Sequence, residues 1–153
     1  MRQVIVILEA VPLLETNVQT DEAQPRPPVG RDWIVLDDTQ KNNPNAGVDT
    51  FQVLSYNILC DRYATASQYG YAANWTLDWN YRSQQILKQL LDSQADIICL
   101  QEVDADSYDD FFLRNLTPES YKGVHQPKSR AKTMSESERK KVDGCATFFK
   151  STK

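Results

Sequence analysis

Phe51-Gln52-Val53-Leu54-Ser55-Tyr56-Asn57-Ile58-Leu59 is apolar on both alternating faces, the pattern of a β-strand covered on both sides. Farther along, Ala95-Asp96-Ile97-Ile98-Cys99-Leu100 is a second short, continuous apolar run, and its polar exit is Gln101-Glu102. Between the two, Asp78 stands where it can cap a helix whose Trp79, Ile86, Leu87, Leu90 and Leu91 form one stripe at helical spacing. Strand, helix, strand in this order predicts an α/β fold with helices packed outside a sheet.

The rest of the chain extends this layout. A second helix is predicted from Ala105 to Leu116, stopped by Thr117-Pro118. Tyr121 to His125 and Cys145 to Phe149 are further strand candidates, joined by a loop whose short helix starts on a capping box of Ser135 with Glu138. The tyrosine-rich connection from Asp61 to Trp75 is expected to pack onto the sheet.

Residues 1–50 read as a leader, because Asp21 to Gly30 and Gln40 to Gly47 are proline-rich and polar breaker runs. Within it only residues 33–36, Trp-Ile-Val-Leu, suggest a short edge strand. Val4 to Leu14 has the apolar character of a signal sequence, but Glu9 and Pro12 interrupt it and no small-x-small site follows. Two regions result: the leader over 1–50 and an α/β region over 51–153. Since the last strand has no covering layer after it, a fold of this type is expected to continue.

The composition, 41% hydrophobic and 25% charged, is that of a globular protein. A net charge of -4 argues against a generally basic nucleic-acid coat. The acidic excess lies in residues 1–50, which leaves the remainder neutral. No apolar stretch reaches the roughly 20 residues of a membrane span. Cys60, Cys99 and Cys145 are odd in number and far apart, and so read as three buried thiols in a reducing compartment.

Asn57 and Glu102 stand at the exits of two apolar strands, where ligands gather in open α/β sheets. Glu102 offers a carboxylate to a hard cation such as magnesium, and Asn57 a polar side chain to orient a phosphate or water. On spacing alone, Asn57 equally fits a turn residue and Glu102 a solvated strand end. The lone histidine, His125, closes a short strand before Pro127 and reads as a surface or loop residue. Lys128, Arg130 and Lys132 form a basic stretch suited to RNA phosphates. Residues 135–141, where Glu136 and Glu138 interleave with the cations, read as a solvated loop.

The stretches Val53 to Asp61 and Ala95 to Val103 resemble the opening of the exonuclease–endonuclease–phosphatase superfamily, whose members have the DNase I-like fold. Finer motifs are similar to the carbon catabolite repressor deadenylases, catalytic subunits of the NOT deadenylation complex. They are Cys60 to Thr65, Tyr69-Gly70-Tyr71, Trp79 to Arg82, Pro127 to Met134 and Val142 to Ala146. The resemblance implies the N-terminal half of an α/β/β/α sandwich and a poly(A)-specific 3′-to-5′ exoribonuclease using Mg2+. It makes Glu102 a metal ligand and Asn57 its active-site neighbour, and implies poly(A) RNA and NOT-complex subunits as partners, in cytoplasm and nucleus. The aspartate–asparagine and aspartate–histidine pairs that complete the family's site are expected beyond Lys153, so the chain alone is expected to be inactive. The leucine-rich repeats by which fungal members dock are not visible in this sequence. A nocturnin-like phosphatase, or a non-catalytic binding fragment, is the alternative.

Overall fold

The computed structural model describes Gln3–Ile7 and residues 50–151. The suggested strand at residues 33–36 lies outside these. Five strands form one sheet in the order β1-β2-β3-β5-β4: β1 is Gln3–Ile7, β2 Thr50–Asn57, β3 Ile97–Asp104, β4 Tyr121–Pro127 and β5 Asp143–Lys150. β1 and β3 flank β2 in parallel, while β5 pairs antiparallel with both β3 and β4. The strand β1 was not anticipated when residues 1–50 were read as a leader. Val4 to Ile7 is an unbroken β-branched run, which suits a pleated ladder.

Among the described residues five α-helical segments accompany the sheet: α1 Asn74–Leu77, α2 Trp79–Ser93, α3 Ala105–Ser107, α4 Arg114–Leu116 and α5 Glu136–Arg139. The Asp78 side chain accepts from Tyr81 N, so the expected cap of α2 is present. The capping box of Ser135 and Glu138 opens α5 as expected. The helix predicted over residues 105–116 is a composite. Between α3 and α4, Tyr108–Leu113 widens to a π-turn, and Phe111 and Phe112 both pack edge-on against Trp79 at 5.9 and 6.2 Å.

α2 and the segment from Tyr108 to Leu116 pack on one face of the sheet. Leu54, Tyr56, Ile98, Leu100, Ala146 and Phe148 point to that face and join Ile86 and Leu90 of α2, Phe112 and Leu116 in a single core. β2 was expected to be covered on both sides. Instead its other face, with Val53 and Ser55, is half-exposed, as are their neighbours Ile97 and Cys99. The thiols differ for the same reason. Cys60 is buried, which pushes its pKa up to about 11, whereas Cys99 is half-buried and Cys145 exposed on the uncovered face. No helix among the described residues is long and apolar enough to cross a membrane.

Candidate active site

Because β2 and β3 run parallel, their C-terminal ends lie side by side, and each delivers one polar side chain there. Asn57 ends β2 opposite Gln101. The next residue, Glu102, falls where the β3–β5 register shifts, between Gln101 and Val103. Such a bulge re-aims one side chain out of the alternation of the strand. Glu102 sits there at φ 60°, in the left-handed region that costs an ordinary side chain roughly 1–2 kcal/mol. Leu59, just past Asn57, has φ 55°. Strain gathered at one place points to a functional constraint.

Hydrogen bonds tie these residues into one unit. Asn57 Nδ2 donates to Glu102 Oε1 at 2.8 Å, and Asn57 Oδ1 accepts from Leu59 N at 2.9 Å. Cys60 N donates to Glu102 Oε2 at 3.3 Å. From behind, Arg82 of α2 donates twice to the Leu59 carbonyl, at 2.7 and 2.9 Å. Burial lowers the Arg82 pKa, opposed by the charge of Asp61. Arg82 thus holds the loop that presents Asn57; its only signal in the sequence is its place in the Trp79 to Arg82 motif, because the contact depends on where α2 lands.

The donor set fits a hard cation. Each Glu102 oxygen accepts one of these hydrogen bonds and keeps acceptor capacity, and magnesium commonly takes one or two carboxylates together with water and substrate phosphate. Among the described residues no group of three His, Cys, Asp or Glu side chains is arranged to hold a metal. Of the two carboxylates at the end of β3, Asp104 accepts from Cys60 Sγ and Ser107, and Glu102 is the one that pairs with Asn57.

Beside it lies a second cluster, built on Asp143 at the start of β5. Its carboxylate is 1% exposed. Oδ1 accepts from Tyr63 Oη at 2.8 Å and from Arg130 Nη2 at 2.6 Å, and Lys128 Nζ lies 2.5 Å from Oδ2. Burial pushes the Asp143 pKa up, but Lys128, Tyr63 and Arg130 outweigh it and hold the group below the ordinary carboxylate value. The hydrogen bond to Asp143 raises Lys128 in turn.

The structure thus brings Lys128 and Arg130 together, while Lys132 is exposed on the same turn, Ser129–Thr133, outside the cluster. His125 lies within β4, half-buried. Its Nε2 is 2.8 Å from the Val103 carbonyl and its ring stacks on Tyr108, so it is a packed strand residue and not a loop residue. Asp143 and Tyr63 escaped reading by chemistry. The only signal was that both fall inside motifs quoted for the resemblance.

A family model described as the Endonuclease/Exonuclease/phosphatase family matches residues 54–153. The chain is 50% identical over 135 residues to the CCR4-Not complex 3'-5'-exoribonuclease subunit Ccr4 of Mycosarcoma maydis, a match covering 84% of this chain and 20% of that protein. To the Ccr4 subunit of Schizosaccharomyces pombe it is 45% identical over 148 residues, covering 83% and 21%. The chain therefore spans about a fifth of the length of these relatives. Among solved structures it is similar to ANGEL2, a 2',3'-cyclic phosphatase, with a TM-score of 0.55 and 30% identity over 67% of this chain and 28% of that one.

Proposed function

The chain belongs to the Endonuclease/Exonuclease/phosphatase family, and on that premise we propose that it carries part of the active site of a magnesium-dependent, poly(A)-specific 3′-to-5′ exoribonuclease. The observation that carries this reading is the Asn57–Glu102 pair, locked by hydrogen bonds on a strained bulge at the ends of two parallel strands. Its setting in a chain about half identical to Ccr4 exoribonuclease subunits supports RNA as the substrate.

Glu102 would hold the metal, with Asn57 as its neighbour. When bound, magnesium supplies charge to polarise a scissile phosphate and lowers the pKa of water. The chain's own residues do the rest. Asn57 orients Glu102 and keeps the Oε1 lone pairs directed. Arg82 fixes the 58–60 turn, and Lys128 with Arg130 offers donors to phosphate oxygens. Among the described residues the Asn57–Glu102 pair supplies one carboxylate and one amide, which suits holding a metal and orienting a phosphate. The likeness to Ccr4 subunits supports CCR4-Not subunits as partners, and poly(A) RNA as substrate with a place in cytoplasm and nucleus belongs to the same proposal.

A chimera tests this: residues 51–151 replace the matching segment of the Schizosaccharomyces pombe Ccr4 subunit, and labelled oligo(A) is incubated with magnesium. Stepwise shortening from the 3′ end is expected, lost with EDTA and with Glu102→Ala. Shortening that survives Glu102→Ala, or equal attack on oligo(U), would sink the reading. The likeness to ANGEL2 supports a phosphatase as the second reading, and preferential hydrolysis of a 2',3'-cyclic phosphate by the chimera would favour it.

A further inference from the structure

The Asp143 cluster is built in an uneven way. Its carboxylate is buried, yet the two cations it holds have side chains 53% and 48% exposed. One cation would suffice to compensate a buried carboxylate. Two leave the cluster with a net positive charge, and both present unused N–H donors to solvent.

The cluster is also continuous with the active-site pair. Cys60 N bonds to Glu102, Cys60 O accepts from Tyr63 N at 2.8 Å, and the Tyr63 hydroxyl touches both Asp143 and Arg130 Nη2. In the β3–β5 register Asp143 faces Asp104, two residues beyond Glu102. Lys128 N donates to the Asp143 carbonyl at 3.0 Å, so the backbone as well as the side chain of Lys128 is tied to this residue.

We propose that Asp143 is a positioning residue for RNA phosphate, which fixes the Lys128 ammonium and the Arg130 guanidinium beside the Asn57–Glu102 site, with the Tyr63 hydroxyl as third support. It rests on the function proposed above only for the ligand, an RNA backbone. Free lysine and arginine side chains lose rotamer entropy when they grip a phosphate, and an anchor that holds them in place beforehand removes that cost. The anchor must be buried, because an exposed carboxylate would repel the same phosphate.

This makes a prediction of unusual sign. Asp143→Asn removes one negative charge, so simple electrostatics requires tighter RNA binding, whereas loss of positioning requires weaker binding. Anisotropy of labelled oligo(A) with EDTA present, so that nothing is cleaved, reads the difference on the chain itself. Asp143→Asn is expected to weaken binding about 5- to 10-fold, as expected for losing a charge-assisted contact. Tyr63→Phe, which changes no charge, is expected to weaken it about 2- to 3-fold. Lys128→Gln with Arg130→Gln should flatten the salt dependence by about two phosphate contacts. In that double variant, Asp143→Asn should have less than about a twofold further effect, because residues acting as one unit are not additive.

Unchanged or tighter binding by Asp143→Asn overturns the proposal, as do full additivity in the double variant and the absence of measurable binding by the unmodified chain. If Asp143→Asn fails to fold by circular dichroism, Tyr63→Phe decides alone, and unchanged affinity overturns the proposal. Repeating the set with oligo(U) separates the two readings. Equal losses on both oligomers leave the positioning role standing, and equal affinity of the unmodified chain for both removes poly(A) preference.

Discussion

Glu102 is held by two opposing demands. Its carboxylate needs to leave the alternation of β3 and meet Asn57 and Cys60 N, and the backbone meets that need by adopting φ 60°. An ordinary strand position is weakened by glycine, by roughly 0.5–1 kcal/mol relative to alanine. Here the order should invert. Glu102→Gly should be more stable than Glu102→Ala by about 1 kcal/mol in urea unfolding, since only alanine retains the left-handed penalty. A normal order, with alanine the more stable, would mean that the residue is not strained. At Asp143 the sign follows from its depressed pKa. The stability it contributes is fully present above the ordinary aspartate value and is lost as pH falls through its lower folded value. Asp143→Asn should accordingly flatten the acid limb of the stability curve below about pH 4, read by urea midpoints across pH. An unchanged limb would show that other carboxylates dominate it.

The hairpin of β4 and β5 shows how tightly one element can be specified. A Cβ added at Gly144 would lie 2.1 Å from the Gln126 carbonyl oxygen and 2.6 Å from Pro127 Cα, both backbone atoms of the paired strand. Neither can rotate away, so Gly144→Ala has to break the register there. It should cost at least as much as Leu90→Ala, which empties a fully buried site on α2 at about 2–5 kcal/mol. Thermal melts of both variants compare them directly. A Gly144→Ala protein that melts with the wild type would disprove the close approach. The π-turn at Tyr108–Leu113 belongs to this scale as well. Helical spacing announces that residues 105–116 are helical. That one turn widens, and that two adjacent phenylalanines both reach Trp79, depends on where α2 sits.

For the whole molecule the decisive asymmetry is between the two faces of the sheet. One carries the core and the helices. On the other, Phe149 is 40% exposed in one row with half-exposed Ile97 and Val53, and Val124, 59% exposed, lies in the row beside it. Exposed apolar surface on a sheet promotes association. Replacing Val124 and Phe149 by lysine should raise solubility and lower binding of a hydrophobic dye, with the far-ultraviolet spectrum unchanged. A loss of secondary structure would show instead that these side chains hold the sheet together.

Local chemistry suffices for much of this. The alternation in Phe51 to Leu59, the run at Ile97 to Leu100, the stripe on α2 and the caps at Asp78 and Ser135 depend on neighbours in the chain, and each was legible as such. So were Asn57 and Glu102 as polar strand exits, because an apolar run that stops at a carboxylate marks its own end. The face that stays uncovered, the strand β1, the left-handed bulge and the grouping of Tyr63, Lys128, Arg130 and Asp143 were not legible. These four residues are separated by up to 80 positions and meet because β2, β3, β5 and β4 pair side by side in one sheet. The sequence by itself determined the elements and the residue types at their ends, since propensity and periodicity act over a few residues. Tertiary structure alone decided which ends converge, because that depends on long-range pairing whose energy no local window contains.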